Sequence, residues 1–179
     1  MGHDQQAKFF VHAYQGFLQG TCHALCGLAD PAQILNALSE GVSRSELLGS
    51  SLLTAVALTF EKSGPANVAC AGHPCPYVLT GDIWQKVEVS GPLLGFQEHQ
   101  EYASHCLELS GPVLLYTDGL NERLKDNEWQ QLLNILMEEL KQEEPSLARV
   151  LDYYDNKADQ PVADDMTILV LIPDDWQAS

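Results

Sequence analysis

Apolar residues along the chain recur at two spacings, and the change from one to the other divides the sequence into segments. In GHDQQAKFFVHAYQGFLQGTCHALCG, Phe10, Tyr14, Phe17, Leu18 and Leu25 fall on roughly one face at helical spacing, with Gln and His among them. Asp30-Pro31 then opens a second predicted helix, with Asp as N-cap, Pro at the first helical position and Ile34, Leu35 and Leu38 turned inward. From about Leu52 the texture changes. TAVALTF and NVACAG flank EKSGP, whose Ser-Gly-Pro is a loop signal, and predict a β-hairpin. YVLT, WQKVEV, YASHCLEL and VLLYT are further short runs bounded by turns, several of them alternating, as suits antiparallel strands with one buried face. Helical spacing returns after Asp118 through Trp129, Leu132, Leu133, Leu136 and Leu140. Pro145 breaks it, and a second short apolar face follows through Leu147, Val150, Leu151 and Tyr154. A final strand, MTILVLI, begins at about Met166.

The pattern contains no internal repeat and no low-complexity segment, and LKQEEPS, residues 140–146, is a solvated turn rather than a linker. The expected class is therefore α+β. With 179 residues, 45% of them hydrophobic, the chain suits one domain, 1–179, with a substantial core.

Two strings join strands to acids. VLLYTDGLNER, residues 113–123, runs a short buried strand into Asp118 and Gly119. Asp before Gly is common turn chemistry, and it is equally a carboxylate held where a sheet opens to solvent. VADDMTILVLI mirrors it, placing Asp164 and Asp165 immediately before the last strand. The helical segment between them returns the chain toward the sheet edge it left. If the two strands are antiparallel, Asp118 and Asp164 lie at the same end of the sheet. Crowded carboxylates repel one another unless protonated or bridged by a cation. An all-oxygen ligand set suits Mg²⁺ or Mn²⁺ rather than zinc. The alternative is a pair of cap and turn acids that never meet.

Charge narrows the partners. Acidic residues outnumber basic ones by 25 to 9, for a formal net charge of −16, which repels phosphate backbones and anionic lipid. Nucleic acid and membrane are thus not expected as partners, and phosphate chemistry requires a cation that screens the site locally. The cysteines, Cys22, Cys26, Cys70, Cys75 and Cys106, are odd in number and follow no regular framework, which predicts reduced thiols and a cytoplasmic setting. Cys22, His23 and Cys26 would supply part of a zinc site, but no second cluster has the spacing to complete it, so core thiols are the favoured reading. No basic-then-apolar leader is visible, and no apolar run approaches membrane-spanning length.

YTDGLNER, ADDMTILVLI, NVACAGHPCPYVL and an MGHD that opens a helix together resemble the phosphatase domain of the stage II sporulation protein E (SpoIIE) and RsbU type. These are PPM (type 2C) metal-dependent serine/threonine phosphatases. The resemblance runs through nearly the whole chain in the right order. It implies an αββα sandwich of two antiparallel sheets flanked by helices, with a centre of two ions, Mn²⁺ or Mg²⁺, at one end. Position by position, it makes Asp118 and Asp164 metal ligands and gives Gly119 the close turn. Asp165 falls beside a ligand, as a supporting or solvent-facing residue, and His3 of MGHD and His73 of AGHP come near the site. For His73 the competing reading is a histidine satisfied within a strand-end turn. The implied reaction is hydrolysis of phosphoserine or phosphothreonine by metal-held water, without a covalent phospho-enzyme. The implied substrate is a phosphorylated partner protein, such as an anti-sigma-factor antagonist, in a bacterial signalling pathway.

The match departs from the family at its start. There an Asp and one further residue precede the string that corresponds to MGHD, and two strands lie upstream; here position 1 is Met, and Asp4 replaces the usual glycine. The expectation is a domain lacking its first strands, cut from a longer protein with an upstream regulatory domain. Such a chain would hold Mg²⁺ weakly, having few carboxylates to offset dehydration of the ion. It would also leave a sheet edge open to pair with another chain, including a second copy in a homodimer. Two further functional classes follow: a catalytically incompetent phosphatase-like module that binds a signalling partner, and an unrelated α+β binding domain whose melting temperature ignores Mn²⁺.

Overall fold

A computed structural model describes residues 3–25, 30–45, 52–60, 65–96, 100–157, 166–174 and 176, with backbone alone for 3–10. The chain divides into two compact units, residues 1–73 with 89–108 and residues 74–88 with 109–179.

The first unit contains helices α1 (His3–Ala24) and α2 (Pro31–Arg44) and strands β1 (Ala55–Phe60), β2 (Ala66–Ala71) and β5 (His105–Leu107). The strands form an antiparallel sheet in the order β1-β2-β5. Helix α2 begins where Asp30-Pro31 predicts. The Asp30 side chain accepts the Ala32 amide at 2.9 Å, and Gln33 Oε1 accepts the Asp30 amide at 3.3 Å, completing a capping box. The Ser104 hydroxyl donates to the same Asp30 carboxylate, tying the helix start to the segment that leads into β5. A cap of this kind contributes about 1 kcal/mol. Leu35 and Leu38 of α2 pack against Ala69 and Ala71 of β2, with Leu94 and Tyr102 in the same cluster.

Helix α1 departs from its expected amphipathic burial. Tyr14 is buried and packs with Val42 of α2, but Phe17 and Leu18 keep 37% and 40% of their surface exposed. The helix it packs on supplies a narrower apolar strip than a sheet would, so part of the predicted face remains in solvent.

The second unit contains β3 (Tyr77–Thr80), β4 (Ile83–Lys86), β6 (Val113–Tyr116), a 3₁₀ turn at Asp118–Leu120, α3 (Asp126–Leu140), α4 (Ala148–Lys157) and β7 (Ile168–Leu171). The sheet order is β4-β3-β6-β7, antiparallel throughout. Gly81 at φ +57 occupies the two-residue turn between β3 and β4, where a side chain would be strained. The run WQKVEV stops being a strand at Lys86 for a local reason. The Val87 amide still donates to the Pro76 carbonyl at 2.8 Å, but Pro76 has no N–H to return the bond. Leucines 120, 132, 133, 136 and 140 fill this unit's core together with Leu79, Trp84, Tyr116, Val150 and Tyr154. The Trp84 indole N–H donates to the Leu133 carbonyl at 2.8 Å, which fixes α3 against the β3–β4 hairpin.

Among the described residues, two antiparallel sheets and four α-helices thus agree with the expected α+β class. Among the described residues, no helix is long and apolar enough to cross a membrane.

Candidate metal centre

The site is built where β6 ends. Strands β6 and β7 pair in the register Val113↔Leu171 through Tyr116↔Ile168. The pairing runs one step further: the Thr117 amide donates to the Thr167 carbonyl at 3.1 Å, and the Thr167 amide donates to Thr117 Oγ1 at 2.8 Å. Thr117 belongs to the TDG string and Thr167 to DDMT, so the two motifs are hydrogen-bonded to each other at one end of the sheet. This is the antiparallel arrangement on which the meeting of the two motif strings was conditional.

Beyond Thr117 the chain leaves the ladder in the tight 3₁₀ turn Asp118–Leu120. The Leu120 amide donates to the Thr117 carbonyl at 3.0 Å, and the Asn121 and Glu122 amides donate to the Asp118 carbonyl, each at 3.0 Å. The Asp118 carboxylate is exposed; Oδ1 accepts the Gly119 amide at 3.0 Å. No cationic side chain pairs with Asp118 among the described residues. Gly119 and Leu120 are buried beneath it. The Gly119 carbonyl accepts the hydroxyl of Tyr154, from α4, at 2.8 Å. Asp118 is therefore a hard oxygen donor presented to solvent on an anchored turn.

Just behind the turn, Tyr116 sits in an aromatic cluster with Tyr77 and Trp129, and the Trp129 indole N–H donates to the Tyr77 hydroxyl at 3.1 Å. Burial, reinforced by Tyr77 and Cys75, pushes the Tyr116 pKa well above that of an ordinary phenol. It remains neutral across the physiological range and is a packing residue rather than an acid.

The remaining expected residues are distributed as follows. Asp164 and Asp165 lie outside the described residues, immediately before Met166. His3 is the first residue of α1. His73, in the first unit, follows Gly72, whose φ is +63 and whose missing side chain leaves room for Leu93. The His73 ring nitrogen Nδ1 lies 3.4 Å from Thr54 Oγ1, and its carbonyl accepts the Cys70 thiol at 3.2 Å. Among the described residues, no three His, Cys, Asp or Glu side chains converge as a metal site.

The pattern of apolar positions did not reveal Thr117, Thr167 and Tyr154 as residues that hold the site. Both threonines stand inside the two motif strings, a signal that was available. Tyr154 was visible only as part of an apolar helical face, which says nothing about its hydroxyl.

The family model for stage II sporulation protein E (SpoIIE) matches residues 1–172. The chain belongs to that family. Among solved structures, it is similar to the SiaA-PP2C domain of Pseudomonas aeruginosa, with a TM-score of 0.70 at 16% identity, over 93% of this chain and 70% of that one. It is also similar to the RsbU and RsbW domains of a Mycobacterium tuberculosis protein, with a TM-score of 0.64 at 22% identity, over 95% of this chain and 49% of that one. A third likeness is to the phosphatase domain of the cell-fate determinant SpoIIE from Bacillus subtilis, presoaked with Mn, with a TM-score of 0.56 at 14% identity, over 93% and 76%. At these identities the likeness is one of fold, and the fold is of the PP2C type. No curated protein matches the chain.

Proposed function

We propose that this SpoIIE-family chain forms the catalytic part of a metal-dependent phosphoserine/phosphothreonine protein phosphatase, in which Asp118 and Asp164 supply carboxylate oxygens to Mn²⁺ or Mg²⁺. The observation that carries the reading is the Thr117–Thr167 pairing, which binds the TDG string to the DDMT string at one sheet end. Family membership supports it, as does the likeness to a Bacillus subtilis phosphatase domain presoaked with Mn.

The residues fit such an ion. Asp118 is exposed, lacks a cationic partner among the described residues and offers oxygen only, which suits a hard divalent cation. When bound, a divalent pair lowers the pKa of a coordinated water and stabilises charge on phosphoryl oxygens. The chain's own residues perform the positioning. The 3₁₀ turn holds the Asp118 carboxylate at the mouth of the sheet, the Gly119 amide orients Oδ1, and the paired threonines keep β6 and β7 in register beneath it. A net charge of −16 repels a phosphorylated substrate at long range, so approach depends on local positive charge.

The substrate in this reading is a phosphorylated partner protein in bacterial signalling. The test is Mn²⁺-dependent phosphate release from a phosphoserine peptide by the wild-type chain and by Asp118→Asn. The expected result is a fall of about 100-fold or more in the variant, with unchanged melting temperature in the absence of Mn²⁺, since even residues behind a metal ligand are worth ~10–100-fold. A wild-type chain that binds a phosphorylated partner but releases nothing at saturating Mn²⁺ would replace this reading with that of a binding module.

A further inference from the structure

Among the described residues, two of the three carbonyls from Thr117 to Gly119 are taken within the turn that carries Asp118. The Thr117 carbonyl is taken by Leu120 and the Asp118 carbonyl by Asn121 and Glu122, but the Gly119 carbonyl points away from the turn to the hydroxyl of Tyr154. That hydroxyl belongs to a side chain only 1% exposed, and the bond, 2.8 Å long, joins residues 35 apart in sequence. A buried phenol requires a hydrogen-bond partner. This one is the carbonyl directly after Asp118.

Tyr154 also stands in the last part of α4, the helix from which the chain leads to Asp164. We infer that Tyr154 is a positioning residue for the proposed metal centre: its hydroxyl pins the turn that carries Asp118 to the end of α4 and so holds the Asp118 carboxylate in place. The inference rests on the phosphatase reading above. It goes beyond that reading in giving a fully buried residue, remote from substrate, control over metal affinity.

The physical basis is the tolerance of a carboxylate ligand. Metal sites need their ligands held to within about half an ångström, and groups behind the ligands supply that constraint. The bonds within the turn define its shape; they do not prevent it from rotating as a body about its junction with β6. Thr117 anchors one end of the turn to β7, and Tyr154 anchors its middle to α4. Without the phenol, the turn keeps its shape and loses its second anchor.

The experiment compares Mn²⁺ affinity, by titration of bound against free ion, in the wild-type chain, Tyr154→Phe and Tyr77→Phe, all well below their melting temperatures. Tyr77→Phe is the control because it also removes one aromatic hydroxyl from the same unit, the acceptor of the Trp129 bond, without touching the Asp118 turn. The expected result is Mn²⁺ binding about 10-fold weaker in Tyr154→Phe and unchanged in Tyr77→Phe, with phosphate release restored in Tyr154→Phe by raising Mn²⁺. Equal affinity in Tyr154→Phe and wild type overturns the inference while leaving the phosphatase reading intact. Equal weakening in both variants assigns the effect to general stability and also overturns it. A wild-type chain that fails to bind Mn²⁺ overturns both.

Discussion

The two compact units fill their cores in opposite ways. In the first, the sheet presents alanine: Ala66, Ala69 and Ala71 of β2 are fully buried, and α2 lays Leu35 and Leu38 against the latter two. In the second, the space between sheet and helices is taken by Trp84, Tyr116, Tyr154 and a row of leucines. Small residues let a helix approach its sheet closely and leave little side chain to delete. Large aromatic residues fill more volume, and their polar tips must find partners, so they fix the rotation of the elements as well as their spacing. Trp84 bonds to Leu133, and Tyr154 to Gly119. The unit carrying TDG and DDMT is thus the one whose core specifies orientation, as a carboxylate ligand set requires.

The difference can be broken by exchanging the kinds of change each core should resist. Leu132, at 0% exposure in the bulky core, should be the most costly to shorten. Leu132→Ala is expected to lose ~3 kcal/mol, from lost transfer energy plus an unfilled cavity, read as a lower urea midpoint at unchanged slope. A loss under about 1 kcal/mol would mean that this core collapses around the gap and is not the rigid one. The alanine core should fail in the other direction. Ala69→Leu adds volume where α2 already lies on the sheet, and overpacking of this kind costs ~2 kcal/mol. Tolerance of that substitution would show that α2 has room to lift and that the close approach is incidental.

Legibility in the sequence follows the same division between spacing and orientation. Signals written in adjacent residues were readable: Asp30-Pro31 as a helix start, TDG as a strand end and MTILVLI as a strand, while its antiparallel return beside VLLYT entered only as a condition, which the register meets. Signals that depend on a distant partner were not. YASHCLEL reads as an eight-residue strand, yet β5 pairs over His105–Leu107 alone: ahead of it the Tyr102 amide donates to Asn36 Oδ1 and the Ser104 hydroxyl to the Asp30 carboxylate, which turns that stretch toward α2. Phe17 and Leu18 have helical spacing, but spacing does not reveal how wide a surface the neighbouring helix supplies. The hydroxyl of Tyr154 and its bond to Gly119 were invisible for the same reason: periodicity reports which side of a helix is apolar and nothing about what the tip of a buried phenol must reach.

The smallest expected effect sharpens the comparison through two tyrosines. Tyr116 of the second unit has its pKa raised by burial first and then by Tyr77 and Cys75. Tyr102 of the first is raised by burial but pulled back by the Ser39 hydroxyl, which favours the ionised form. For both, the folded-state pKa exceeds the unfolded value near 10.0, so their contribution to stability is intact below about pH 10 and is lost as pH rises beyond it. Each pH unit in that window costs up to about 1.4 kcal/mol per group. Urea midpoints measured from pH 8 to about 11 should therefore fall most steeply in the wild type and less steeply in both Tyr116→Phe and Tyr102→Phe. A fall as steep in Tyr116→Phe as in the wild type would mean that its phenol ionises as readily in the folded chain as in the unfolded one, and that the second unit's core does not shield it.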